Sequence, residues 1–164
     1  MSTIILIRGN SGSGKTSVAK ELHELLGEGN LLISQDYVRR SMLSVKDEPM
    51  NLAIGLIEVQ IEYGIKNCKY TIVEGILSEA KYGDMLRNVI GNADFVYAYY
   101  YDLSFEETLK RHRTKKGVSF SEEKMRNWFL EYDVFGIQHE KVIFENVTKK
   151  AMVNQILNEL NRLY

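Results

Sequence analysis

Residues 3–7 form an unbroken, mostly β-branched apolar run that stops at Arg8. Such a run predicts a strand buried on both faces. The period then changes. Val18, Leu22 and Leu25 recur at helical spacing over 14–26, and Gly27 and Gly29 close the segment. A second short strand is predicted at 30–34, after which Asp36 can cap a helix through about Leu43. Residues 51–65 predict a helix with Leu52, Leu56, Val59 and Tyr63 along one side. A third strand is predicted at 70–75, a glycine-ended helix at 79–91 and a fourth strand at 93–102. The helix expected over 104–116 opens with Ser104 and Glu107 spaced as a capping box. A helix at 121 to about 132, a fifth strand at 141–147 and a Thr148-capped helix to Leu163 complete the pattern.

Strands alternating with helices define an α/β fold: a five-stranded, mainly parallel sheet flanked by helices in three layers. Right-handed crossovers carry Gly9, Asp36, Glu74 and Asp102, each near the end of a predicted strand, to one edge of that sheet. Ligands bind at this edge in such folds.

A chain of 164 residues, 45% apolar and 26% charged, fits a single domain spanning 1–164. The net charge of −1 argues against a general affinity for nucleic acid or membranes. One cysteine, Cys68, cannot form an internal disulfide, and with three separated histidines it offers no metal-ligand cluster. With no stretch long and apolar enough for a membrane span and no leader pattern, the expectation is a cytoplasmic protein.

Gly9-Asn10-Ser11-Gly12-Ser13-Gly14-Lys15-Thr16 matches G-x-x-x-x-G-K-[ST] in full, between a predicted strand and a predicted helix. Phosphate oxygens must reach backbone N–H groups, and a Cβ would obstruct them, hence the glycines. Lys15 is suited to the β- and γ-phosphates and the Thr16 hydroxyl to Mg²⁺, with Ser17 next to it in the nucleotide site. These residues predict ATP and Mg²⁺ as ligands. The guanine-reading N-K-x-D string is absent, so a GTPase switch is disfavoured. Residues 133–136 match D-x-x-G, but after a helix and too late in the chain, which reads as coincidence.

The segment 32–43, LISQDYVRRSML, resembles its counterpart in the small P-loop kinases that include zeta-toxin-like kinases, chloramphenicol phosphotransferase and the kinase half of polynucleotide kinase-phosphatase. The segment 101–117, YDLSFEETLKRHRTKKG, is similar to their fourth strand and the helix leading into a lid. The resemblance is strict only at 9–16. It implies a three-layer P-loop fold with a small lid at about 111–121 and an acceptor-binding insert at about 37–66. It also implies that Asp36 is the base for an acceptor hydroxyl and that lid arginines, Arg111 first and Arg113 second, meet the transferring phosphoryl group.

Each assignment has a plainer alternative. Asp36 could be only a helix cap, and Arg111 only the i,i+4 partner of Glu107. Glu74 could serve the metal or the acceptor, or be a solvated strand-end charge, and Arg39 and Arg40 could hold an anionic acceptor group or lie on a helix surface. The run 97–101 reads as a packed strand rather than a stacking platform, Trp128 and Phe129 as core rather than lining of an acceptor pocket, and the histidines as structural or surface. The leading expectation is a kinase acting on a hydroxyl of a small molecule, such as a nucleoside, a sugar nucleotide or an antibiotic-like compound. The alternatives are a polynucleotide 5′-hydroxyl kinase and a nucleotide-binding regulatory module without chemistry.

Overall fold

A computed structural model describes residues 1–117 and 120–162. Two positions of the expected lid, Val118 and Ser119, and the expected last helical residue, Leu163, lie outside the described residues.

Five strands, β1 (Thr3–Gly9), β2 (Leu31–Ser34), β3 (Tyr70–Gly75), β4 (Phe95–Tyr101) and β5 (Lys141–Ile143), form one sheet in the order β2-β3-β1-β4-β5. Every pairing is parallel. β1 is central and wholly buried, as its unbroken apolar run requires. The strand period of two splits its side chains between two cores. Ile4 and Leu6 join Val73 and Ala98 beneath α2 (Leu52–Asn67) and α3 (Glu79–Ile90). Ile5 and Ile7 join Ile72, Tyr99 and Tyr101 beneath α1 (Lys15–Leu26) and α6 (Lys149–Asn161). Two shorter helices, α4 (Phe105–Arg113) and α5 (Glu122–Trp128), flank the carboxyl edge.

Several expectations need correction. α2 buries Ala53, Ile57, Ile61 and Gly64, while Leu52, Val59 and Tyr63 are exposed and Leu56 is half-buried. Both stripes of this helix are apolar, so periodicity alone could not choose between them. The buried stripe includes Gly64, where an added Cβ would lie 2.2 Å from Thr71 Oγ1 on β3. Asp36 does not cap a helix: its backbone is already helical and its side chain makes no cap bond. The following segment, Tyr37–Met42, is π-helical, with Leu43 N donating to Val38 O at 3.1 Å. β5 ends at Ile143 and α5 at Trp128, both earlier than their patterns suggested. Ser104 and Thr148 do cap α4 and α6 through their side-chain oxygens.

Candidate active site

The turn between β1 and α1 sits at the carboxyl edge of the central strand. Gly14 enters α1 with φ 94°, a left-handed conformation that glycine adopts without strain. Gly12 (φ 83°) packs so tightly that an added Cβ would lie 2.4 Å from Thr108 O on α4. The amides of the first turn of α1 have no carbonyl of their own helix to bond, and the helix dipole adds to their pull on an anion. Lys15 folds back over the turn, its Nζ donating to Asn10 O at 3.2 Å. Burial lowers the pKa of its ammonium, against the carboxylates of Glu74 and Asp36, which raise it; Lys115 lowers it further.

Thr16 and Glu74 meet directly. Glu74 is only 2% exposed, so it is not a solvated strand end. Thr16 Oγ1 donates to its Oε2 at 3.0 Å, and Ser34 Oγ to its Oε1 at 2.5 Å. The register explains this: Glu74 lies beside Ser34 on one neighbouring strand and Ile7 on the other. With its hydrogen committed to Glu74, the Thr16 oxygen keeps its lone pairs for a cation. One hydroxyl backed by one carboxylate suits Mg²⁺, which keeps several waters and takes its remaining ligands from substrate phosphates. Among the described residues no three His, Cys, Asp or Glu side chains gather to hold a metal unaided.

Asn10 and Arg8 serve a different end. Asn10 Nδ2 donates to Leu130 O at 2.7 Å and its Oδ1 accepts from Leu130 N at 2.8 Å, so this side chain ties the turn to the segment after α5. Arg8 is fully buried. Its guanidinium donates to Leu77 O at 2.9 and 3.1 Å, to Asp133 O and Oδ2 at 2.8 Å each, and to Glu140 Oε1 at 3.4 Å. It also lies 3.3 Å from the Phe135 ring centroid. The D-x-x-G match at 133–136 thus holds the structural partner of Arg8. The only signal in the sequence was an arginine ending an otherwise apolar strand.

Two cavities meet at the edge. One, of about 400 Å³, lies over the turn and is lined by Ser11, Gly12, Lys15, Thr16 and Ser17 together with Lys20, Lys115 and Lys116. The other, of about 480 Å³, opens toward the Tyr37–Met42 segment and α5, with Arg39, Arg40, Lys81 and Trp128 in its wall. Ser11, Asp36 and Phe120 line both. The Asp36 side chain is 62% exposed and pairs with Arg39 Nη2 at 3.3 Å and Arg40 Nε at 3.5 Å. Arg40 stacks 4.6 Å from the Phe120 ring, which meets Trp128 edge-on at 5.1 Å. Trp128 is therefore a cavity residue, not core, whereas Phe129 is half-buried and packs edge-on against Phe105 at 5.5 Å.

The structure does not bring the two lid arginines into either wall. Arg111 is spent on fixed contacts: Glu107 Oε1 at 2.8 Å, Ser13 O at 2.9 Å and Glu145 O at 3.0 Å. Arg113 is exposed and reaches Glu122 at 3.5 Å. Lys115 and Lys116, from the same basic run, reach the cavity over the turn instead.

No protein-family model and no curated protein matches this chain. Solved structures do. A gluconokinase from Sinorhizobium meliloti 1021 superposes with a TM-score of 0.72 at 17% identity, over 98% of this chain and 93% of that one. The Mycobacterium tuberculosis APS kinase, in complex with AMPPNP and APS, gives 0.67 at 17% identity over 98% of both chains. The Deinococcus radiodurans tunicamycin resistance protein gives 0.65 at 17% identity, over 98% and 96%. The fold is thus the P-loop kinase-like α/β fold. These similarities spread over several small kinases and single out no subgroup. No helix among the described residues is long and apolar enough to cross a membrane.

Proposed function

We propose that this chain is an ATP- and Mg²⁺-dependent kinase that transfers the γ-phosphoryl group to a hydroxyl of a small molecule. The observation that carries the reading is the junction of the two cavities, with Asp36 in both walls beside the phosphate-binding turn. A regulatory module needs no second cavity and no carboxylate at its mouth. The fold similarity to a gluconokinase and an APS kinase supports the same reading.

In this reading Lys15 and the first-turn amides of α1 hold the nucleotide phosphates, and the Thr16 hydroxyl, oriented by Glu74, is the protein's metal ligand. Mg²⁺, when bound, neutralises charge on the β- and γ-phosphate oxygens. The Asp36 carboxylate takes the proton of the acceptor hydroxyl. The acceptor oxygen bonds to the γ-phosphorus as the β–γ bridge breaks, and that electron pair leaves on ADP. Arg39 and Arg40 position Asp36 and the acceptor. Residues 37–66 then act as the acceptor-binding insert and about 111–121 as a lid, whose phosphate-side cations are Lys115 and Lys116, with Arg111 anchoring its helix to the turn and Arg113 at its rim. The narrower kinship with the zeta-toxin and polynucleotide kinase group rests on Asp36 and the 101–117 segment.

The test is transfer of label from γ-labelled ATP·Mg²⁺ to a panel of nucleosides, sugars, sugar nucleotides, amino-sugar antibiotics and a 5′-hydroxyl oligonucleotide, with Asp36→Asn as control. The expected result is a labelled small-molecule product whose formation drops about 10²–10⁴-fold in the variant. Full turnover by Asp36→Asn removes Asp36 from the chemistry, and nucleotide binding without transfer to any acceptor favours the regulatory module.

A further inference from the structure

The acceptor-side cavity has a charge pattern that a neutral hydroxyl compound does not explain. Its wall carries five cations, Arg39, Arg40, Lys46, Lys81 and Lys124, against three carboxylates. Two of those carboxylates are already engaged: Asp36 with both arginines, and Asp47 with Lys81 at 3.0 Å and with the Tyr82 hydroxyl at 2.9 Å. Lys46 and Lys124 make no ion pair among the described residues. The cavity is left with about two positive charges in excess.

Two residues of the same wall carry buried polar atoms that support an anion there. Arg39 is held in place, Nη1 on Val45 O at 3.0 Å and Nη2 on Asp36, yet its Nε is buried with no hydrogen-bond partner among the described residues. Ser78 stands at the cap position of α3 but makes no cap bond, and its buried Oγ is also unpartnered. Buried polar atoms are almost always satisfied, so two residues of one cavity wall that each carry an orphaned polar atom mark a place where a ligand can supply the partners. A group that offers only acceptors and carries negative charge is an oxyanion.

We propose that the acceptor is a small hydroxyl compound that also carries a phosphate or carboxylate group, and that Arg39, Ser78 and Lys124 hold that oxyanion while its hydroxyl lies at Asp36. The inference rests on the kinase reading for the fate of the hydroxyl but not for the anion site. A volume of about 480 Å³ fits a compound of sugar or nucleotide size, and the aromatic edge of Phe120 and Trp128 gives its ring a surface to lie on. A polynucleotide would carry its charge along an extended track, which a cavity of this size does not supply.

The experiment uses the full chain loaded with Mg²⁺ and a non-hydrolysable ATP analogue, so that the phosphate-binding turn is already filled. Matched pairs are titrated calorimetrically: a hexose with its 6-phosphate, a hexose with its aldonic acid, and a nucleoside with its 5′-monophosphate. A 5′-hydroxyl oligonucleotide is added as a separate arm. At least one anionic member is expected to bind about 10–100-fold more tightly than its neutral parent. Which one it is separates phosphate from carboxylate. The preference is expected to fall at least about tenfold in Arg39→Gln and in Lys124→Gln. Lys124 is exposed, so its variant keeps the test sound should Arg39→Gln fold poorly. The same compounds are then offered with labelled ATP. Anion-selective binding without transfer to any of them overturns the kinase reading and leaves the anion site standing. Equal binding of neutral and anionic partners, binding of none, or binding of the oligonucleotide alone overturns the anion site whatever the transfer assay gives.

Discussion

Two carboxylates end neighbouring strands of the same sheet and have opposite surroundings. Glu74, on β3, is sealed between Thr16 and Ser34. Asp36, two residues past β2, is mostly open to solvent and, among the described residues, paired with two arginines of its own segment. Glu74 belongs to a floor made of β1, β2, β3 and the start of α1, where strand register sets it beside Ser34 and Ile7 and the start of α1 brings Thr16 to it. Asp36 belongs to a rim made of the Tyr37–Met42 segment, the chain to Asn51 and the approach to α5. Its contacts there are charged, partly exposed and set by loop geometry. A floor of this kind fixes how phosphate is held, whereas a rim of this kind leaves the acceptor to be chosen.

The largest expected effect comes from exchanging each carboxylate for its amide. Asp36→Asn is expected to lower turnover about 10²–10⁴-fold while the affinity for an ATP analogue stays within about twofold. Glu74→Gln is expected to act through the metal. The Mg²⁺ needed for half-maximal turnover rises about 10–100-fold, because the Thr16 hydroxyl loses the charged group that orients it. Calorimetric Mg²⁺ titration in the presence of the analogue reads the same loss without turnover. If both variants change turnover alone, the division into floor and rim is wrong.

Arg8 tests how far the floor depends on residues that never touch a ligand. Removing one partner of a buried charge network strands the others, at a cost of about 3–5 kcal/mol. Arg8→Met is expected to lower unfolding stability by that amount in urea titration, since Asp133 and Glu140 lose their shared cation. A loss below about 1 kcal/mol would falsify the structural role.

How much of this was legible in the sequence divides along the same line. The glycine turn between β1 and α1 was fully legible, because only glycine tolerates φ 94° at Gly14 and the close approach at Gly12, and those needs leave a fixed spacing in the chain. The five strands and their parallel sense were legible from alternation alone. The buried face of α2 was not, because Leu52, Val59 and Tyr63 are as apolar as the stripe that packs, and the close approach of Gly64 to Thr71 on the next strand shows only in the folded chain. Nor was the pairing of Arg8 with Asp133, 125 residues away, which leaves no local pattern. The basic run from Lys110 to Lys116 led to the expectation of a lid, but which of its side chains reaches the cavity depends on where α4 ends, and it ends at Arg113.

That last point yields a smaller effect within the rim. Lys115 lines the cavity over the turn, and Arg113 points its charge at Glu122. Lys115→Ala is expected to reduce kcat/KM about 10–100-fold, the worth of one charge-assisted hydrogen bond to phosphate. Arg113→Ala is expected to change it less than about threefold, because an exposed pair contributes little. The reverse order would restore the arginine as the phosphate contact.

The smallest effect serves as the control, on a flank that belongs to neither floor nor rim. Glu159 on α6 accepts from Tyr99 Oη at 2.6 Å, Lys141 Nζ at 2.7 Å and Gln155 Nε2 at 3.2 Å. Burial pushes its pKa up, but the bonds from Lys141, Tyr99 and Gln155 outweigh burial and hold the carboxyl below its ordinary value. A folded pKa below the unfolded one means that the unfolded chain binds the proton more readily. The stabilisation is therefore complete above the unfolded value of about 4.3 and is lost as pH falls through the lower folded value. Glu159→Gln is expected to cost about 1 kcal/mol at pH 7 and progressively less as the pH drops below about 4.3, measured by denaturant unfolding across pH. Turnover at pH 7 is expected to stay unchanged, since this side chain touches neither cavity. A variant that loses turnover in step with stability would mean that α6 transmits strain to the turn through its packing on α1, and the site would then extend beyond the carboxyl edge of the sheet.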